Sequence, residues 1–277
     1  MIDIKEKVAI FNVFVVNKMS NSKETGAITL LKRAVELDSK KQWTSALVCY
    51  KEGLQLLMEA IRTGEFRPFK TKESPLNSQF SESMDGGKKA KFREKANEYM
   101  NRAEQLQKII DNAKKSGDFH EHIEIQADSV GHSYESLFGR FLDCDVISIH
   151  IEDPYIRAHH QIVNLFRFCE LVIRKCSNIN KIHLVTGQDS NQVQEQISKL
   201  RELATELQQN HKIALTFEFS TTLHDRLIKL SSGWIIKLGR GLDIYKNSKS
   251  KWSPGYFDMD LRPCLQTSID IYHGTIK

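Results

Sequence analysis

Cysteine is scarce in this chain of 277 residues. The five present (Cys49, Cys144, Cys169, Cys176, Cys264) are scattered, odd in number and without a Cys-x-x-Cys pair. That excludes a disulfide framework and a cysteine zinc site, and it suits a reducing cytosol. Long apolar runs are missing as well: nothing approaches the ~18 residues that a membrane span needs. Val8–Val16 comes nearest, but it is short, broken by Asn12 and followed by no small-residue cleavage site. Residues 1–18 read as an upstream extension without assigned function ahead of Met19, a more typical cytosolic start, and the N-terminal extension as a whole is taken to residue 26. Excess charge is the third absence. The net charge is +5, and Asp128–Lys277 carries 18 Lys/Arg against 17 Asp/Glu. An anion site in that half must therefore be a local cluster, and a bulk nucleic-acid binder is not expected.

Amphipathic periodicity is what fills the N-terminal third. Ala27, Leu30, Leu31, Ala34, Val35 and Leu37 recur at helical spacing and stop at Asp38-Ser39. A second stripe runs through Trp43, Ala46, Leu47, Tyr50, Leu54, Leu57, Met58 and Ile61, and a third through Phe92, Ala96, Tyr99, Met100, Ala103, Leu106 and Ile110. Three such helices bury their stripes against one another as a small bundle. Only five prolines are present, and two of them, Pro68 and Pro75, lie with Gly86-Gly87 and several serines in Thr63–Ala90. That stretch reads as a disordered loop inserted between the second and third helices.

The register of these stripes carries further information. ALVCYKEGLQLLMEAI and REKANEYMNRAEQLQKII resemble the second and third helices of the MIT (microtubule-interacting and trafficking) domain, with small residues, aromatic and RAE triplet in place. The resemblance covers Ala27–Asn112. It implies no catalytic residues and capture of short C-terminal helices of ESCRT-III subunits, the charged multivesicular body proteins, in a groove between helices two and three. By motif position Met100 and Ala103 would floor the groove and Glu104 would take a partner arginine, as helix-in-groove recognition requires. Tyr50 and Leu54 would line the opposite wall or belong to the core.

Residues 113–127 are polar and charged and read as a solvated linker; His120 and His122 with Glu121 and Glu124 have no familiar metal spacing, and no metal or cofactor is expected. From residue 128 strands and helices alternate: Asp145–Glu152, His160–Lys175, Lys181–Thr186, Gln192–Gln208 and Ile213–Phe219. That order predicts an α/β layered sheet with ligands at the strand carboxyl ends, where Asp153, Tyr155 and Arg157 fall.

Leu223–Leu230 and Trp234–Leu238, separated by Ser231-Ser232-Gly233, predict a β-hairpin. Strand alternation would put His224 and Arg226 on one face and Asp225 on the other, a pairing suited to phosphate or simply a polar strand end. This stretch resembles the HxKxxxxD signature of the phospholipase D superfamily. Arg226 replaces lysine, and Ser231 replaces an aspartate that the superfamily's mechanism uses. Only one copy is present where those enzymes need two, so a homodimer would have to supply the second. Lys237, Arg240, Lys246, Lys249 and Lys251 add five cations within fifteen positions, followed by Trp252, Tyr256 and Phe257. Basic and aromatic residues so grouped suit an anionic leaflet.

The succession of the MIT pattern, IEDPYIR, HDR, GWIIKLGRGLD and DLRPC resembles a family with an N-terminal MIT domain and a C-terminal phospholipase-D-like domain. The expected fold is multidomain: an all-α three-helix bundle over residues 27–112, then an α/β phospholipase-D-like domain over residues 128–277. The resemblance implies a non-enzymatic ESCRT-III adaptor that dimerises, binds acidic phospholipids or phosphoinositides and assists abscission in cytokinesis. Its expected place is cytoplasmic, peripheral on the late endosome membrane and the midbody. In this reading His224 and Arg226 are vestigial, and His224, Arg226, Arg240, Lys237, Lys246, Lys249, Lys251 and Arg157 hold phosphate. The alternative is a phosphodiesterase, a phospholipase or nuclease, using His224 from two protomers.

Overall fold

The computed structural model describes residues 22–63, 83–189, 192–248 and 250–274, divided between two compact units, Met1–Asn112 and Ala113–Lys277. In the first unit lie α1 (Ser22–Ser39), α2 (Trp43–Thr63) and α3 (Ser83–Ser116), whose last turn passes into the second unit. A tight turn joins α1 to α2: Lys41 adopts a left-handed φ of 58°, and Gln42 N–H donates to Leu37 O at 2.9 Å. The three stripes meet as expected, with Ala27, Leu31, Ala34, Ala46, Leu57, Ala96, Leu106 and Ile110 buried. Gly53 sets the spacing of α1 and α2, because a Cβ there would lie 2.9 Å from Leu31 Cγ. Arg102 closes the bundle from α3: Nε and Nη2 donate to the two carboxylate oxygens of Asp38, at the end of α1, at 2.7 and 2.8 Å.

Two boundaries differ from expectation. Helix begins at Ser22, inside the stretch read as an extension to residue 26. Helix α3 starts at Ser83, inside the expected loop, because the Lys- and Ala-rich run after Gly87 favours helix enough to offset the glycine pair. Residues 1–21 and 64–82 fall outside the described residues.

The second unit is a seven-stranded sheet in the order β1-β7-β6-β5-β2-β3-β4. The strands are β1 (His120–Ile125), β2 (Ser148–Asp153), β3 (Lys181–Thr186), β4 (Ala214–Phe219), β5 (Leu227–Leu230), β6 (Trp234–Leu238) and β7 (Thr267–His273). A short helix α4 (Tyr134–Phe138) precedes β2, and α5 (His159–Lys175) and α6 (Val193–His211) are the crossovers of the parallel trio β2-β3-β4. The other pairings are antiparallel, and β5-β6 is the expected hairpin. One face packs into the core through Ile149, Ile151, Ile182, Leu184, Leu215, Ile228, Ile236, Ile269 and Ile271. The opposite face carries His120, His122, His150, His183, Glu152, Lys229, Lys237 and Asp270.

The expected linker over residues 113–127 is overturned. Its charged run HEHIEI is edge strand β1, paired with β7 from His120↔Tyr272 to Ile125↔Thr267. Glu121 sits in an inward register position, where its carboxylate accepts from Arg140 Nη2 at 3.0 Å with both side chains almost wholly buried. Outward-facing His120 and His122 both meet Asp270 Oδ1 at 2.8 Å.

Candidate functional site

In the helical unit, α2 and α3 leave an open groove of about 750 Å³ lined by Lys51, Leu54, Gln55, Met58, Glu59, Arg62, Met100, Ala103, Glu104 and Gln107. Met58 and Met100 are 57% and 39% exposed, although Leu54, Leu57, Ala96 and Leu106 of the same stripes are buried. They are flexible, polarisable surfaces that adapt to an apolar partner. Glu59 and Glu104 offer carboxylates along the groove, and Lys51 and Arg62 offer cations. Expected positions Met100, Ala103, Glu104 and Leu54 are brought together here. Tyr50 is not. It is buried, with its hydroxyl turned towards Asp38 (3.4 Å) and its ring 5.9 Å from Tyr99. Burial, and after it the charge of Asp38, pushes its phenol well above the usual range. Met58, Glu59 and Arg62 are groove residues that pattern reading left in the core stripe or unassigned.

The second candidate site lies at the carboxyl end of β2. Asp153 is buried there, and its carboxylate accepts from the Tyr155 and Leu242 backbone N–H groups at 2.9 and 3.4 Å. Burial raises its pKa, an effect opposed by those two bonds and by the charge of Arg226. Gly241 passes directly over that carboxylate at a left-handed φ of 65°, and a Cβ there would collide with it. Half-exposed Tyr155 is flanked by two guanidiniums, Arg226 at 4.2 Å and Arg157 at 5.4 Å from its ring centre. Arg226 donates through Nη1 to Gly239 O, and its buried Nε has no hydrogen-bond partner among the described residues. Arg157 Nε donates to Pro154 O at 2.6 Å. Exposed Arg240 lies between Gly239, whose carbonyl accepts from Arg226, and Gly241, and its Nε donates to Asp243 O at 3.4 Å; the Asp243 carboxylate accepts from Asn164 at 3.3 Å.

His224 and Arg226 precede β5 and stand in a loop, so the expected strand alternation does not govern them. His224 is exposed, and among the described residues no second group orients its ring. Ser231, in the position of the superfamily's aspartate, lies at the far end of β5, where its hydroxyl accepts from the Ile147 and Ser148 N–H groups at 2.9 and 3.1 Å. The expected cation group also divides. Arg157 and Arg226 meet at Tyr155 beyond the β2 end, and Arg240 follows Gly239 on the neighbouring loop. Lys237 projects from the open sheet face opposite Asp270, Lys246 pairs with Asp128 at 2.7 Å, Lys251 is exposed on a separate loop, and Lys249 lies outside the described residues.

A family model described as the MIT (microtubule interacting and transport) domain matches residues 25–108. A second, described as the phospholipase D-like domain at the C-terminus of MIT, matches residues 131–273. A mouse (Mus musculus) protein, MIT domain-containing protein 1, is 41% identical over 255 residues, spanning 92% of this chain and 94% of its own length. The chain belongs to this family.

In the MIT domain-containing protein 1 family, then, this chain pairs an open helical groove with a phospholipase-D-like sheet, and His224-Asp225-Arg226 leads into β5 of that sheet. No helix is long and apolar enough to cross a membrane, and no cluster of three His, Cys, Asp or Glu side chains is arranged to hold a metal, among the described residues.

Proposed function

We propose that the chain is a non-enzymatic adaptor of the ESCRT-III machinery. Its helical unit holds the C-terminal helix of an ESCRT-III subunit, and its sheet unit rests as a homodimer on acidic phospholipid membrane, at the late endosome and at the midbody during abscission. The observation that carries the reading is the groove between α2 and α3, where two exposed methionines lie among Glu59, Glu104, Lys51 and Arg62. An amphipathic helix laid there buries its apolar anchors on Met58 and Met100 and sets an arginine against Glu104. The cluster of Arg157, Arg226 and Arg240 suits a lipid phosphate, since guanidinium forks onto two oxygens. Exposed His224 without an orienting partner, together with Ser231 committed to two backbone N–H groups, supports binding without turnover.

The test is Met100→Asp. A carboxylate there faces the apolar side of a docked helix and has no partner, so affinity for an ESCRT-III tail peptide should fall at least tenfold (about 1.4 kcal/mol). Fluorescence polarisation reads the affinity, and helicity of the variant reads folding. A correctly folded Met100→Asp protein with unchanged affinity would refute the groove assignment.

A further inference from the structure

The most exposed large apolar side chains of the described residues lie close together in sequence. Trp252 is 95% exposed and Phe257 86%, and Leu261 is half exposed, all on the loop over residues 250–261. Single exposed apolar residues need no explanation, but three on one short loop do.

The loop is built rather than slack. Arg262 is buried and spends its guanidinium on it: Nε donates to Gly255 O, Nη1 to Lys246 O at 3.1 Å and Nη2 to Tyr256 O at 3.1 Å. The loop base is laced by Lys246 N–H to Pro263 O (2.9 Å), Leu265 N–H to Ile244 O (2.7 Å) and a bridge between Tyr245 and Cys264. Turns at Ser250–Ser253 and Ser253–Tyr256 shape the tip, and the Tyr256 ring holds Phe257 edge-on with centroids 4.8 Å apart. A buried cation thus fixes a backbone whose largest side chains point at solvent.

Charge does not account for the exposure. Lys246 is engaged by Asp128, and the Asp258 carboxylate accepts from Asp260 N–H. What remains is a pair of protruding aromatics beside serines and exposed Lys251. Two rings that project this far into solvent suit a soft surface that can close around them. The water–lipid interface of a bilayer does so, and it favours aromatic rings at headgroup depth.

We propose that residues 250–261 form a wedge that inserts Trp252 and Phe257 into the interfacial layer of an anionic phospholipid bilayer, with Lys251 at the headgroups. The proposal rests on the membrane reading above and adds that association has an apolar component which salt does not screen.

The experiment is vesicle flotation of the full chain on equal parts phosphatidylcholine and phosphatidylserine, at low salt and at ~0.5 M salt. It compares wild type, Trp252→Ser/Phe257→Ser and Arg226→Ala/Arg240→Ala, with tryptophan emission read on vesicles carrying brominated acyl chains. The wedge predicts at least a tenfold loss for the aromatic pair at both salts, a loss for the arginine pair at low salt only, and quenching of an emission component that Trp252→Phe removes. Both aromatic side chains are exposed, so the variants should fold; unchanged melting checks this. Wild-type binding that the aromatic pair leaves intact, or Trp252 emission that brominated chains do not quench, overturns the wedge and leaves the membrane reading standing. Failure of wild type to float on any vesicle removes both.

Discussion

Arg102 offers the sharpest test of how the helical unit is held. Its guanidinium reaches from α3 to the end of α1 and grips both oxygens of Asp38, whose side chain is 8% exposed while that of Arg102 is 35% exposed. Removing one partner from a fully buried pair costs roughly 3–5 kcal/mol, because the other charge is left without compensation. Water reaches more than a third of this arginine and screens the pair, so the loss should be nearer ~2 kcal/mol, about a thirtyfold shift in the folding equilibrium. Hydrogen exchange on the full chain measures it directly: slow amides of α2 and α3 should lose about that factor of protection in Arg102→Ala, while amides of the sheet serve as internal reference. Asp38→Ala/Arg102→Ala should be more stable than the two single losses added together, with a coupling of at least ~1 kcal/mol. Strict additivity, or a loss under ~0.5 kcal/mol for Arg102→Ala, would refute the clamp. The groove should keep its affinity in whatever fraction stays folded, because side chains two residues apart on a helix diverge by roughly 200°, separating Arg102 from Glu104.

Two further predictions concern the sheet. Arg140→Ala strips buried Glu121 of its ion-pair partner and should cost about 3 kcal/mol in urea unfolding, whereas Glu121→Leu/Arg140→Met should recover most of that loss; equal destabilisation by both would show that the charges themselves matter little. Burial alone would raise the Asp270 carboxyl, but hydrogen bonds and charge from His122 and His120 outweigh it and hold the pKa below its ordinary value. A depressed carboxylate contributes stability above its unfolded pKa, about 3.9, and loses it as pH falls through the folded value, so the wild-type sheet should weaken below about pH 4 more steeply than Asp270→Asn. Parallel pH profiles for the two proteins would refute the assignment.

The sequence made the helical unit legible because its chemistry is repetitive. Small residues, Gly53, Tyr50 and Arg102 each answer to one packing requirement, and the stripe predicted which faces meet. Direction within the stripe was harder to read. Tyr50 and Met58 are both apolar members of one helix, and only the packing shows that the first turns inward and the second outward. In the sheet, the βα alternation from β2 to β4 was plain because apolar residues recur at every second position of those strands. Strand β1 escaped notice because Glu121 occupies an apolar register position, which hides the period-two pattern behind three successive polar residues, His120-Glu121-His122. The cationic site was half legible: Arg157 and Arg226 converge, but Tyr155 between the two guanidiniums is a matter of loop geometry that spacing does not encode.

The hydroxyl of Ser231 has a consequence for which way the sheet faces. By holding the N–H groups of Ile147 and Ser148 it ties the hairpin turn to the start of β2, and so fixes how β5 lies along β2. A slip of one residue between these strands would turn Lys229 into the core and Ile228 out to water, and the three strands beyond β5 would have to follow. Ser231 therefore acts as an alignment pin: a single small side chain decides which side of four strands is oil and which is water.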